Sequence, residues 1–319
     1  ATGASVLLAG GYLLLGETGL YVTTPVVALL ALLATWALVQ ETLRGKSKAI
    51  RDTTGALAVA LLAPSPEHVD RLLVPMADAP AQLFTVLTLF FSLKGMHRLG
   101  AGRTAVWLFL LAGLCFGWAY WVRHTQLVLA LPVLLAILLG SRAAPPLQAA
   151  SSSASRETHP APHPQHRLRL MIPPLLAFCG AALFAALPDI IYRWRVFGGP
   201  FATETTELPL MAVQYIGPVA RQMVREALAA GEWGYLFPLA ILGAYWLARE
   251  HRHEAAVLGC AFLAVLLVHL TYRALRLRDL ISIFPLFDLA VACGAVALVH
   301  RARALLLPAG GPRGAGRAR

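Results

Sequence analysis

Residues 104–140 read TAVWLFLLAGLCFGWAYWVRHTQLVLALPVLLAILLG. Two apolar runs, 104–122 and 125–140, are parted by the basic pair Arg123 and His124. The hydrocarbon core of a bilayer takes about 20 apolar residues per helix. The stretch therefore reads as a helical hairpin that crosses a membrane and returns. The same pattern extends outward from it. Apolar runs near 25–41, 49–64 and 79–95 precede it, and runs near 169–187, 234–248, 255–271 and 282–300 follow. The sequence predicts an all-α, polytopic membrane helix bundle of about nine transmembrane helices, after an apolar opening segment.

Composition points the same way. The 319 residues are 58% hydrophobic and only 13% charged, with a mean hydropathy of +0.66. A soluble domain carries roughly 25% charged residues. The net charge of +11 reads as orientation charge on loops, not as a nucleic-acid footprint. Cys115, Cys179, Cys260 and Cys293 all sit in apolar runs without metal-ligand spacing, and they read as small buried hydrophobes. The chain opens ATGASVLLAGGYLLLG, with no initiator Met or basic flank. A cleavable signal peptide is not visible there, and the true N-terminus is expected to lie upstream.

Four regions follow. Residues 1–140 hold the N-terminal membrane helices. Residues 141–168, rich in Pro, Ser and Ala, read as a disordered cytoplasmic linker. Its histidines, His159, His163 and His166, lie among prolines without a second ligand cluster. Residues 169–300 hold the C-terminal membrane helices, with an extracytoplasmic loop at 188–233, and 301–319 form a disordered cytoplasmic tail.

If the loop LRGKSKAIRD is cytoplasmic, 18 of the 27 Lys and Arg residues face the cytoplasm, as the positive-inside rule requires. The opposite face then carries Asp78, the loop 188–233 and the hairpin YRALRLRDL. Arg273, Arg276 and Arg278 crowd this hairpin against the rule. Two readings are open: a phosphate-binding clamp, or arginines snorkelling to headgroups. Arg123 faces the same water layer, beside an aromatic belt of Trp118, Tyr120 and Trp121, and His124 reads as an interfacial polar residue. Glu204 and Glu207 lie among threonines and either bind a sugar or face water; Tyr272 is a further substrate-binding candidate. Residues 218–231 read as an amphipathic helix lying on the membrane surface. Asp78 stands at a helix start, where the dipole stabilises an acid. Asp288 lies deeper and is a candidate partner for a hairpin arginine.

Four stretches carry a resemblance. ALAVALLAPSPEHVDRLLVPMADAPAQLFTVLTLFFSL, AGLCFGWAYWVRHTQLVLALPVLLAILL, LPDIIYRWRVFGGPFATETTE and YRALRLRDLISIFPLFDLAVACG resemble, in that order, segments of GT-C membrane glycosyltransferases. The branch is the protein O-mannosyltransferase-like and lipid A aminoarabinose transferase-like one. The resemblance implies a GT-C-like fold and transfer of a hexosyl or pentosyl unit from a polyprenyl-phosphate-linked sugar. The acceptor would be a lipid, glycan or protein at the extracytoplasmic face of a cell membrane, a bacterial inner membrane by this likeness, with inversion. It implies that Arg273, Arg276, Arg278 and Arg123 bind the donor phosphate. Asp78 would be the second acid, orienting the acceptor or holding a divalent metal ion. The family's principal catalytic acid sits in a loop before this chain's first residue; Glu17 lies too close to the following span to replace it. Residues 1–319 alone are therefore expected to be inactive. Two other functions compete: a secondary transporter using Asp78 and Asp288, and a non-enzymatic scaffold that leaves the outside arginines unexplained. Charges gathered at helix ends, not at the midplane, favour the enzyme.

Overall fold

The computed structural model describes residues 2–72, 74–143, 164–199, 210–229 and 233–306. The expected disordered linker, apart from its ends, and the tail beyond 306 lie outside the described residues, as do Glu204 and Glu207. Twelve α-helices are described. They are α1 (Thr2–Leu15), α2 (Glu17–Thr42), α3 (Lys48–Leu62), α4 (Pro66–Leu72), α5 (Asp78–His97), α6 (Arg103–Val122), α7 (Ala130–Ala143), α8 (Pro164–Phe197), α9 (Ile216–Ala229), α10 (Phe237–Glu250), α11 (Arg252–Leu270) and α12 (Phe284–Leu306). Two 3-10 stretches, His124–Leu129 and Leu277–Ile283, lead into α7 and α12.

Seven described helical segments are long and apolar enough to cross a membrane. Their outward faces carry large apolar side chains such as Leu33, Trp107, Phe184 and Leu263, a belt that only lipid would cover. The chain is a multi-pass membrane protein. The runs near 49–64 and 234–248 are helices as expected, but α3 and α10 have only 15 and 14 residues. At 1.5 Å per residue these reach about 22 Å, short of a full crossing.

Small residues set the closest crossings. Gly113 and Gly117, four apart on α6, face α8, where an added Cβ would stand 3.0 Å from Ala181 Cβ and 2.6 Å from Ala185 Cβ. This is the small-residue contact by which membrane helices approach without a hydrophobic driving force. Gly243 of α10 and Gly294 of α12 abut each other's helix in the same way. Gly16 turns the chain between α1 and α2 at φ +63°, a left-handed value that favours glycine. α5 and α12 are the most enclosed spans, and they carry the core residues Leu89, Leu93, Phe284 and Leu289.

Two boundaries move. α8 runs on to Phe197, so residues 188–197, expected as loop, are helical, and Pro188 lies inside the helix. Membrane helices tolerate such prolines where neighbouring groups re-satisfy the freed backbone. α9 forms where the amphipathic helix was expected; its Val219 and Met223 are buried in the protein core.

Candidate functional site

Three elements enter the bundle side by side from one end: α5 beginning at Asp78, the 3-10 stretch His124–Leu129 preceded by Arg123, and the 3-10 stretch Leu277–Ile283 preceded by Arg276. Arg123 joins them. Its Nη2 pairs with the Asp78 carboxylate and lies 3.5 Å from Asp279 Oδ1. Its Nη1 donates to the Asp279 carbonyl at 2.9 Å. Asp78 is 3% exposed, and an unpaired carboxylate there would be costly. Asp78 and Arg123, candidates 45 residues apart in sequence, are thus one ion pair.

Asp279 also accepts from the backbone N–H of Arg276 at 3.0 Å, which closes the arginine hairpin onto the triad. The hairpin is held from the other side too. Arg273 N–H donates to Leu210 O, and Ala212 N–H to Thr271 O, both at 2.9 Å. Tyr272 pairs with Met211 in a single antiparallel bridge. The Arg273 guanidinium sits 5.9 Å from the Tyr215 ring centroid, within cation–π range. Leu275 and Leu277 point inward while Arg273 and Arg276 are exposed and Arg278 is half-buried. The turn and the start of the 3-10 stretch thus present arginines at the mouth of the bundle and anchor the hairpin with buried leucines.

A second polar cluster lies behind the first. Arg123 is extended (φ −144°, ψ 115°), so neighbouring side chains diverge. His124 turns away from Asp78 and places Nε2 at 3.1 Å from Asp189 Oδ2. Asp189, fully buried, also accepts from Arg193 Nε at 2.8 Å and from Thr2 Oγ1 at 2.6 Å. Trp121 Nε1 donates to Thr2 Oγ1 at 2.8 Å. His124, read from the sequence as an interfacial polar residue, is thus tied to a buried carboxylate.

Beneath the triad, Gln82 Nε2 donates to Ile281 O, Thr85 Oγ1 to Gln126 Oε1, and Gln126 Nε2 to Ser282 Oγ, each at 3.1 Å. His68 of α4 faces Gln82, and burial pushes its imidazole below the usual histidine value. Asp288 accepts from the Trp233 indole at 3.1 Å. Among the described residues no three His, Cys, Asp or Glu side chains gather into a set that could hold a metal ion, and Asp78 is engaged by a guanidinium.

The residue types alone do not single out Asp279, Asp189, Arg193 or Gln126. Two signals were present. Asp279 follows Arg276 by three residues, a capping spacing at a helix start. Asp189 precedes Arg193 by four, the ion-pair spacing of a helix face.

Residues 2–150 match the family described as Dolichyl-phosphate-mannose-protein mannosyltransferase. No curated protein sequence matches the chain. Among solved structures the chain is similar to ArnT from Cupriavidus metallidurans bound to undecaprenyl phosphate. The TM-score is 0.61 and the identity 16%, over 92% of this chain and 49% of that one. The chain thus spans about half the length of that protein, and the likeness is one of fold: a GT-C-like membrane bundle.

Proposed function

We propose that this GT-C-like membrane chain belongs to a glycosyltransferase that takes its sugar from a polyprenyl-phosphate donor and works at the Asp78 end of the bundle. The observation that carries the reading is the arginine hairpin closed onto the Asp78–Arg123–Asp279 triad. Exposed guanidiniums stand at the mouth of an apolar bundle, where a lipid-linked phosphate would present its oxygens. The family match and the likeness to a protein solved with undecaprenyl phosphate support it.

In the transfer, an acceptor hydroxyl of a lipid, glycan or protein attacks the anomeric carbon. The new C–O bond forms as the bond to the phosphate oxygen breaks, and the electron pair leaves with the polyprenyl phosphate. The hydroxyl proton passes to a carboxylate base. A single displacement of this kind inverts the anomeric centre. Arg273, Arg276 and Arg278 neutralise the departing phosphate, and fixed cations aimed at developing charge are a large catalytic term. Arg123 is shared between two carboxylates, so it serves by holding Asp78. Asp78, fixed in place by that pairing, orients the acceptor side. The alternative of a transporter asks for charges at the midplane; Asp78 is instead locked at the bundle end by Arg123.

The test is binding of undecaprenyl phosphate to the protein in lipid nanodiscs. The double substitution Arg273→Ala/Arg276→Ala is expected to weaken binding about tenfold, equivalent to about 1.4 kcal/mol. Unchanged affinity would remove the hairpin from the donor site.

A further inference from the structure

The ionic triad rests on a second, uncharged layer that ties together the same three elements. Thr85 lies on α5 two turns below Asp78. Gln126 lies three residues after Arg123, and Ser282 three residues after Asp279. In a 3-10 helix, side chains three apart eclipse, so Ser282 stands under Asp279 within the Leu277–Ile283 stretch, while Gln126 lies in the first turn of the stretch that Arg123 caps. Gln126 bridges the layer. Its Oε1 accepts from Thr85 and its Nε2 donates to Ser282, both at 3.1 Å, while its backbone N–H donates to Arg123 O at 2.9 Å. Thr85, Gln126 and Ser282 are all fully buried.

We infer that Gln126 is the positioning residue of this site, fixing where Arg123 can hold Asp78 and Asp279. Gln82 of α5 also bonds Ile281 O, but among the described side chains of this layer it is Gln126 that ties the His124–Leu129 stretch to both α5 and the Leu277–Ile283 stretch, and it belongs to the 3-10 turn that Arg123 caps. A buried amide matched on both sides accepts only one relative placement of the three elements. An apolar side chain of similar volume would allow them to slide and turn. This inference deepens the donor-site reading above and rests on it for its functional consequence.

Three variants test it. Gln126→Leu removes both side-chain bonds, Ser282→Ala removes one, and Ser282→Thr keeps the hydroxyl. A fourth, Ser92→Ala, is the control, since Ser92 is equally buried but its side-chain bond among the described residues is to Thr88 O within its own helix. The first measurement is the coupling between Asp78 and Arg123 in a double-mutant cycle by unfolding, which needs no ligand. Expressed as an equilibrium constant, that coupling is expected to fall about tenfold in Gln126→Leu, less in Ser282→Ala, and not at all in Ser282→Thr or Ser92→Ala. The second is undecaprenyl phosphate affinity in nanodiscs, expected to fall in the same order. Full coupling in a folded Gln126→Leu protein overturns the inference. Lost coupling in a protein whose wild type does not bind undecaprenyl phosphate sustains the positioning role and overturns the donor reading instead.

Discussion

At the end of the bundle opposite Asp78, His97 of α5 lies between two acids from two other helices. Its Nδ1 is 2.6 Å from Glu41 Oε1 on α2, and its Nε2 is 2.7 Å from Glu254 Oε1 on α11. Only the imidazolium donates from both nitrogens at once, so this ring carries a charge shared by two carboxylates. We predict that His97→Ala is severely destabilising. The two contacts and the width of the ring place the carboxylate oxygens at most about 7.5 Å apart; at an effective dielectric near 20 their repulsion is roughly 2 kcal/mol. Two charge-assisted hydrogen bonds disappear as well, each about 1.5–3 kcal/mol. Water entering the gap and Arg44, 3.9 Å from Glu41, recover part of this, leaving a loss of about 3–5 kcal/mol, as for a broken buried pair. The assay is unfolding of the detergent-solubilised protein in a denaturing detergent, followed by far-ultraviolet circular dichroism. The triple variant Glu41→Gln/His97→Ala/Glu254→Gln removes the repulsion and is expected to regain about 2 kcal/mol over His97→Ala. The reasoning fails if His97→Ala unfolds within about 0.5 kcal/mol of the wild type, or if the triple variant is no more stable than the single one.

Two further outcomes are expected. Arg123→Gln should cost about 3–5 kcal/mol because it strands the buried Asp78 beside Asp279, whereas Asp78→Asn should cost only about 1.5–3 kcal/mol because Arg123 keeps Asp279. Equal losses in the same unfolding assay would remove Arg123 from the centre of the triad. The second concerns pH. Because burial holds the His68 imidazole below its usual value, the unfolded chain takes up a proton near pH 6.5 that the folded chain refuses. Stability therefore falls as the pH drops through about 6.5 and levels off below the folded value. His68→Gln should flatten that part of the profile of melting temperature against pH, and an unaltered slope would refute the assignment.

The membrane class was legible because span length and apolar content are local properties, read without knowing what packs against what. The start of α5 was legible too, since Pro80 suits a first turn. Contacts between distant residues were not. Arg123 and Asp78 are separated by 45 residues, and nothing local marks them as partners. Asp279 was hidden in a hairpin whose arginines held the eye, although it is the carboxylate that ties the hairpin to the site. Asp189 was lost because Pro188 read as a helix end, while the surrounding helices let α8 continue to Phe197. Gln126 carries no charge and no motif, and its part emerges only when three chain segments stand side by side.

α5 is gripped at both of its ends, at Asp78 by Arg123 and at His97 by Glu41 and Glu254. The nineteen steps between those residues, at 1.5 Å each, span about 28 Å, close to the roughly 30 Å of bilayer hydrocarbon. The helix is thus a caliper with an ionic jaw at each end. A bilayer much thinner or thicker draws one jaw into hydrocarbon or strains its hold, at a cost of fractions of a kcal/mol per Å. Stability compared across vesicles of short and long acyl chains should peak where the lipid matches this length, and a flat response would show that the jaws do not sense thickness.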